Sequence, residues 1–391
     1  MLFWAAYLAC SWTWCLGMFF PVLLGRDYGW ASFAMFAAPN VIGAAAMGWV
    51  LSRPGSSEAF VARHRIACEA FSAVTRAFQV FFVLWLLFSH HGQRPLAGAL
   101  LSLLIAGGVA FSGPWSKQGG LVRMAPLLWL GSAAALGWLG ISLLQDFVSL
   151  PVEPAPGPMR GSLAMWAVLP VCLFGFLLCP YLDLTFHRAR QSLTPTGGRA
   201  AFTLGFGVLF ASMIGFTLLY GQWMQHGDGR PRLDTLPGAF PWVVGAHILF
   251  QAWFTFRVHG EELEASPGLF AILRRKFWKG VVVLGAIAGI VASLVDASGW
   301  RLGESVYRCF MSCYGLLFPA YLWLMHIRVP EGTTLRWLLK RFALSVGIAA
   351  PLFGVGYLGG HELLLVPGLL VVLLAGWVKP RNRRVGVRVI S

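Results

Sequence analysis

Apolar stretches of about twenty residues recur along the whole chain, and this feature limits the possible folds more than any other. About twenty apolar residues are needed for an α-helix to cross ~30 Å of hydrocarbon. Because a bilayer offers no water to bond the backbone, such stretches must form helices unless they form a closed barrel. The alternation typical of a barrel strand is absent. We therefore expect an all-α, polytopic membrane protein.

The pattern predicts about twelve transmembrane helices. They cover residues 2–24, 31–51, 66–89, 96–112, 124–145, 162–186, 200–222, 239–257, 277–296, 305–327, 338–359 and 361–378. Most lysines and arginines lie in alternate loops, which is the positive-inside pattern. This pattern predicts an inner-membrane protein with both termini cytoplasmic. The net charge of +15 then reflects orientation in the bilayer, and we expect no nucleic-acid partner.

Two of the predicted spans are interrupted by a proline near one end. Pro21 lies in the first span and Pro180 in the sixth. The two spans are an odd number of crossings apart, so they should run in opposite directions. Proline-interrupted helices at matching places in two halves of a chain are typical of the binding site of a secondary transporter.

The linker SLPVEPAPGPMRG at 149–161 divides the chain into two halves because it is rich in proline. Residues 1–148 would form a first repeat of five helices, and 162–328 a second, inverted repeat. Residues 329–391 would add two further helices and a basic cytoplasmic tail.

The first span carries polar groups that an unwound helix would expose. Ser11, Thr13 and Gly17 offer hydroxyls and free carbonyls for a solute or an ion. Trp12 and Trp14 lie deep enough to stack on a solute. The alternatives are a kinked helix without a site, and tryptophans that simply face lipid.

Charged residues at the end of the sixth span are candidates for proton coupling. Asp183 and His187 are four positions apart on one helix face and could form a hydrogen-bonded pair. Histidine titrates near neutral pH and can carry protons. The alternative is that both residues anchor the helix at the membrane surface.

Ionisable and polar pairs also occur in the third and eighth spans. Glu69 and Arg76 share one face, and charges at this depth normally point into the helix bundle. Arg76 could neutralise an anionic solute or Asp183, although a structural pair with Glu69 is the favoured interpretation. His247 and Gln251 could line a solute path or satisfy each other.

Signatures of metal sites and of enzymes are missing from the sequence. All seven cysteines fall inside predicted spans, where buried apolar packing explains them. No zinc-like ligand set, P-loop, HExxH or dinucleotide fingerprint is present. We therefore expect no cofactor, no metal and no enzymatic activity.

Two stretches of the chain resemble the sodium/solute symporter family and the wider amino acid–polyamine–cation superfamily. They are ACSWTWCLGMFFPVLLGRDYGWASFAMFAAPNVIGAAAMGWVLSR and PYLDLTFHRARQSLTPTGGRAAFTLGFGVLF. The resemblance implies a leucine-transporter-like 5+5 inverted repeat, here with two extra C-terminal helices, and alternating access around the first and sixth helices.

The same resemblance implies where these two helices unwind and where an ion would bind. The unwound parts would be 10–17 and 174–178, the latter containing Phe174 and Gly175. In the family, hydroxyl residues of the eighth core helix bind sodium. Here WVVGAHILFQAWFTF offers only Thr255, so sodium and proton coupling both stay open.

These observations predict a secondary transporter that moves a small organic solute across the lipid bilayer. Coupling to Na⁺ or H⁺, uniport and loss of transport all stay open. The main alternative is a transporter-derived sensor or scaffold that binds without transport. An intramembrane enzyme is a third possibility.

Overall fold

The computed structural model describes residues 1–88, 101–102, 105, 119–146, 159–224, 232–265, 268, 271–298 and 301–380. Within these ranges the chain is helical and contains no strand. The predicted span 96–112, most of the linker 149–161 and the tail from 381 lie almost entirely outside the described residues.

We number the helices in chain order. They are α1 (Leu2–Trp12), α2 (Cys15–Tyr28), α3 (Ser32–Val50), α4 (Ser56–Phe88), α5 (Gly120–Asp146), α6 (Ser162–Leu178), α7 (Leu184–Gln191), α8 (Pro195–Trp223), α9 (Phe240–Ala265), α10 (Ala271–Ala297), α11 (Leu302–Ile327), α12 (Leu335–Leu358) and α13 (Leu365–Ala375).

Eight of the described helices are long and apolar enough to cross a membrane, and α1 with α2, bent by 52°, would add a ninth crossing if the pair is one span. The prediction of an all-α, multi-pass membrane protein is therefore confirmed. The predicted spans 239–257 and 361–378 correspond to α9 and α13. Both are helical, but α9 is less apolar and α13 is shorter than the others.

Several helices extend past their predicted span at one end, and α10 is one of them, since it begins at Ala271 rather than near residue 277. α4 begins at Ser56 rather than near residue 66 and bends at His64, where φ is −115° and ψ is 21°. α9 continues to Ala265 instead of ending at 257. Charged side chains can extend a helix beyond the hydrocarbon core, because there they reach water or a partner.

The first predicted break is real, but Pro21 does not cause it. α1 ends at Trp12 and α2 starts at Cys15, with Trp14 in an extended conformation between them. Pro21 lies within α2. The break falls inside the predicted unwound stretch 10–17.

The second break lies later in the chain than predicted. α6 continues through Leu178, so the prediction of an unwound 174–178 is wrong. A 3₁₀ turn at Cys179–Leu182 and the extended Asp183 separate α6 from α7. Pro180, in the middle of this turn, lacks a backbone N–H and cannot continue the α-helical bonding.

The two broken helices run in opposite directions, as predicted. The backbone N–H groups of Met159 and Arg160, just before α6, donate to carbonyls of Arg26 and Asp27 at the end of α2, at 3.1 and 2.8 Å. At the other end of the pair, Phe186 of α7 packs on Trp12 of α1. The start of one broken helix thus lies beside the end of the other.

Small residues let the surrounding helices approach closely. α10 lies against α4, and a Cβ atom on Gly285 would be 2.4 Å from the carbonyl oxygen of Ala77. A Cβ on Gly289 would be 2.7 Å from the carbonyl oxygen of Phe81. Such backbone contact is the main source of helix association in lipid.

We expect Gly285→Ala to destabilise the protein by about 1–3 kcal/mol, because the new methyl group would overlap with the α4 backbone. The matched control is Gly280→Ala in the same helix, where a Cβ has no neighbour within 4 Å. The control should be neutral or slightly stabilising, since alanine favours helix more than glycine. The measurement is the thermal unfolding midpoint of purified protein. Equal midpoints for the two variants would contradict the α4–α10 packing.

Candidate functional site

The break between α1 and α2 frees backbone carbonyls, and buried hydroxyls bond to them. Thr255 of α9 places its Oγ1 at 3.3 and 3.4 Å from the carbonyl oxygens of Cys10 and Ser11. The hydroxyls of Ser11 and Thr13 donate to carbonyls of the preceding turn, at 3.0 and 2.8 Å. The carbonyl of Ala9 also accepts the backbone N–H of Thr13, whereas Thr255 of α9 reaches the carbonyls of Cys10 and Ser11.

Trp12 is fixed at the end of α1 by one hydrogen bond and two rings. Its indole N–H donates to Oδ1 of Asn40 in α3 at 2.6 Å. Its ring stacks on Phe71 of α4, with centroids 6.2 Å apart, and lies 4.9 Å from Phe186 of α7. Trp12 thus connects the first break to the helix that follows the second.

Trp14, in the break itself, has a buried N–H group with no hydrogen-bond partner among the described residues. Its ring packs against Phe78 of α4 and Tyr314 of α11, at centroid distances of 5.8 and 5.0 Å. The Nδ2 group of Asn40 is also buried without a partner in the described part of the chain. Two unused donors therefore lie near the first break.

Tyr314 connects both breaks. Besides its contact with Trp14, its carbonyl oxygen accepts the thiol hydrogen of Cys179 at 3.1 Å, at the start of the second break. This carbonyl lies in the π-helical turn Cys313–Leu317, and such turns frequently occur at functional sites. The hydroxyl group of Tyr314 contacts Thr75 at 2.9 Å.

The two helices that start at the breaks differ in how their first turns are capped. Asp183 caps α7, since its Oδ1 accepts from the N–H and the hydroxyl of Thr185, both at 2.7 Å. The N-cap position of α2 is Trp14, which makes no side-chain capping bond. The first turn of α2 thus lacks a capping bond from its N-cap side chain, unlike that of α7.

Asp183 and His187 do not form the predicted pair. His187 directs Nδ1 to Ser57 at 2.8 Å and Nε2 to the carbonyl of Tyr181 at 2.9 Å. Asp183 instead lies opposite His259 of α9, with Oδ2 and Nε2 3.7 Å apart. The sequence did not suggest His259, because the predicted span ended at residue 257. The acidic residues that follow His259 interrupt the apolar pattern there.

The predicted pair of Glu69 and Arg76 is also absent. Glu69 accepts from the Arg274 guanidinium at 2.9 and 3.3 Å and from the Trp278 indole at 3.2 Å. The guanidinium of Arg76 lies over the ring of Phe256, 4.1 Å from its centroid, as in a cation–π contact. Glu69 therefore joins α4 to α10, whereas Arg76 lies between α4 and α9.

His247 and Gln251 do not bond to each other. Gln251 donates to Oγ of Ser132 at 3.1 Å and lies 4.0 Å from the sulfur of Cys10 at the first break. Both ring nitrogens of His247 are buried without a partner among the described residues.

Three further candidates have packing contacts. A Cβ on Gly175 would lie 2.6 Å from the carbonyl oxygen of Tyr314, so this position allows α6 and α11 to touch. Gly17 faces Ile214 of α8, and Phe174 packs on Trp323. The resemblance suggested Gly175 and Phe174 because it placed the second break one turn too early.

A buried network of charges, the Arg26 network, lies where α2 ends and α11 begins. Arg26 binds both oxygens of Glu304, at 2.7 and 2.8 Å, and Oδ1 of Asp27 at 2.7 Å. Arg308 binds Oε1 of Glu304 at 2.8 Å and contacts Asp27. Bidentate arginine–carboxylate bonds are strong and geometrically specific.

The network continues to the start of α6 and to the turn before α13. Arg160 lies 4.0 Å from Asp27 and also pairs with Glu362, which accepts from the Tyr28 hydroxyl at 3.0 Å. At the opposite end of the broken pair, a cavity of about 640 Å³ lies between α1, α5, α7 and α9. Tyr7 lines this cavity. Among the described residues, ion pairs thus join the helices at one end of the broken pair, and a cavity lies at the other.

Several of these contacts could not be predicted from the chain. Asn40, Tyr314 and His259 each meet a residue far away in sequence, and only the fold brings them together. Among the described residues, no group of three or more His, Cys, Asp or Glu side chains could hold a metal ion.

No protein-family model and no curated protein matches this sequence. A structural comparison found similarity to Mhp1, a nucleobase-cation-symport-1 family transporter in a closed conformation with bromovinylhydantoin bound. The similarity covers 96% of this chain and 90% of that chain, with 13% sequence identity and a TM-score of 0.44. At this level it assigns neither a family nor a substrate, and membership of the sodium/solute symporter family stays a prediction.

We expect Glu304→Gln to lower the thermal unfolding midpoint clearly, because it leaves two buried arginines with one carboxylate fewer. Removing one partner of a buried ion pair typically costs about 3–5 kcal/mol. The control is Glu331→Gln, which neutralises an exposed carboxylate in a turn and should leave the midpoint unchanged. Equal effects of the two substitutions would show that the Arg26 network contributes nothing to the fold.

Proposed function

We propose that this protein is a secondary transporter of a small organic solute, which works by alternating access around its two helix breaks. One observation carries the proposal. Two antiparallel helices are both broken in the interior of the molecule, and Trp12, Trp14 and Tyr314 join the breaks. Broken helices persist inside a membrane protein only where freed backbone groups are buried or line a cavity, and in transporters they form the binding site.

The difference between the two ends supports alternating access. The Arg26 network connects α2, α11 and the segment before α6, so it would close one entrance. At the other end, the cavity beside Tyr7 reaches towards α7 and α9. We propose that the network faces outside and the cavity faces the cytoplasm, which agrees with the orientation predicted from the charges. In this proposal the protein is closed on the outside and accessible from the inside.

The unused polar groups near the first break suggest the chemistry of the solute. Trp14 Nε1 and Asn40 Nδ2 are both donors, and they lie beside the N-terminus of α2. Half-helix N-termini in transporters commonly face anionic or polar groups of the substrate. We propose a small solute with a flat face for Trp12 and Trp14, and with hydrogen-bond acceptors such as a carboxylate or carbonyls.

Other residues that the sequence suggested have different places in this proposal. Gln251 contacts Cys10 and would lie next to the solute. Arg76 of α4 and His247 of α9 would not contact the solute directly. Glu69 and His187 have full sets of structural partners, so we assign them to packing. The relation of residues 1–148 to 162–328 as inverted repeats is part of the same proposal.

If sodium were the coupling ion, the first break offers one place for it. Thr255 Oγ1 and the carbonyl oxygens of Cys10 and Ser11 form a cluster of neutral oxygens, which are the ligands that hard cations prefer. Uptake by Thr255→Val would then lose its dependence on sodium.

We expect Trp14→Phe to weaken solute binding about 2- to 10-fold, because it keeps the ring but removes a hydrogen bond of about 0.5–1.5 kcal/mol. A panel of zwitterionic, anionic and neutral ring-containing solutes should first be screened for uptake into proteoliposomes. Affinity is then measured by competition. The control is Trp166→Phe, a lipid-facing tryptophan on α6 that is 60% exposed.

Two results would contradict this proposal. If Trp14→Phe and Trp166→Phe affect affinity equally, the first break does not form the solute site. If the protein binds a solute with the expected dependence on Trp14 but never moves it, the chain is the sensor or scaffold that the sequence left open.

A further inference from the structure

In the described part of the chain, two buried ionisable groups face each other through atoms that have no other partner. Asp183 and His259 are both 0% exposed. Oδ2 of Asp183 and Nε2 of His259 are 3.7 Å apart, and neither atom has a hydrogen-bond partner among the described residues. A distance of 3.7 Å is too long for a hydrogen bond, although a small rotation of either side chain would form one.

The remaining atoms of both groups are held in place. Oδ1 of Asp183 accepts two hydrogen bonds from Thr185. Nδ1 of His259 contacts the hydroxyl of Ser72 in α4 at 3.0 Å. These bonds direct the two free atoms at each other, so the pair is positioned by α4, α7 and α9 together.

We propose that Asp183 and His259 form the proton-coupling site of this protein and share one exchangeable proton. Without this proton the carboxylate and the neutral imidazole together carry a charge of −1, and binding of the one shared proton makes the pair neutral. An uncompensated negative charge is unfavourable in a buried site, and binding of this proton removes it.

The surroundings of the pair favour a proton over a metal cation. Tyr7 of α1 and Cys68 of α4 lie within electrostatic reach of Asp183, and so does Glu262 of α9. Arg76 of α4 is the charged group that acts on His259. No second carboxylate contacts Asp183 among the described residues, so a cation would find only one charged ligand here.

A route to water leads from the pair towards the proposed cytoplasmic side. One turn further along α9, Glu262 forms an ion pair with Arg188 of α7. Both residues line a cavity of about 150 Å³ between α4, α7 and α9, and Arg188 also lines the larger cavity beside Tyr7. We infer that protons reach Asp183 when the contact between Glu262 and Arg188 opens.

The position of the pair explains how proton binding would affect the solute site. α9 carries Thr255, which holds the end of α1 at the first break, and one turn later carries His259. α7 begins at Asp183, directly after the second break. A proton that joins Asp183 to His259 would therefore fix α7 against α9 and couple both breaks. This inference rests on the proposed transport function.

The first experiment counts protons bound by the purified full-length protein without any solute, between about pH 5 and pH 8. Asp183→Asn should bind about one proton fewer than wild type. His259→Gln should move the midpoint of that uptake to lower pH by on the order of one unit, because the amide can donate to the carboxylate and the imidazole base is lost.

Two exposed residues provide control variants. His361→Gln and Glu331→Gln each replace an exposed ionisable side chain, and their curves are recorded beside those of Asp183→Asn and His259→Gln. Superposable curves for wild type and Asp183→Asn would overturn the proposal. An unchanged midpoint in His259→Gln would also overturn it, since Asp183 would then titrate alone.

The second experiment tests coupling. Ser192→Cys, in the cavity beside Tyr7, is labelled with a membrane-impermeant maleimide at several pH values in a Cys309→Ser background. Rates are divided by those of the unfolded protein to remove the intrinsic reactivity of the thiol. We expect the labelling rate to change over the pH range in which the proton binds. In Asp183→Asn the labelling rate should no longer depend on pH in this range. Labelling without any pH dependence would refute the coupling.

Failure of this inference can be distinguished from failure of the transport proposal. Solute uptake that ignores both a pH gradient and Asp183→Asn would refute proton coupling and leave transport intact. The expected proton counts in a protein that moves no solute would refute transport and leave the proton site intact.

Discussion

The structure depends on how backbone groups freed by two helix breaks are satisfied in an apolar interior. An unpaired buried polar group costs several kcal/mol in hydrocarbon, so breaks of this kind persist only when other side chains reach them. Thr255 bonds to the end of α1, and Asp183 caps the start of α7. Tyr314 packs beside the first break and bonds to Cys179 at the second. Because Thr255 belongs to α9 and Tyr314 to α11, each break depends on a helix outside the broken pair.

The sequence predicted much of the fold, because the stability of an apolar helix in lipid depends mainly on the residues of that helix. Eight of the predicted crossings are present in the described chain, or nine if α1 and α2 form one span, and the two broken helices run antiparallel. The place of each break was harder to predict. Pro180 lies within its break, since proline directly removes a backbone bond. No local signal marks Thr13 and Trp14, because distant partners rather than the residues themselves stabilise that break.

The sequence predicted only part of the candidate site, because local patterns do not show which residues of other helices a side chain contacts. Trp12, Trp14 and Thr255 lie at the first break, where the sequence suggested a site. Pairs predicted from spacing along one helix are wrong, because Asp183 and Glu69 choose partners on other helices. His259 and Arg274 became available only because α9 and α10 extend beyond their apolar segments. Spacing along a helix shows which residues share one face of it. The packing of the helices determines which residues that face contacts.

The central claim is that the two ends of the broken helices open alternately, and spin-label distances test it most directly. The first pair of labels is Ala31→Cys with Ser305→Cys, beside the Arg26 network. The second pair is Ser192→Cys, in the cavity beside Tyr7, with Ala265→Cys, in the smaller cavity between α4, α7 and α9. Both are placed in a background with Cys309 and Cys313 replaced by serine, and are compared with and without Glu304→Gln. The account predicts that the first distance lengthens while the second shortens. Distances that stay unchanged, or lengthen together, would contradict it.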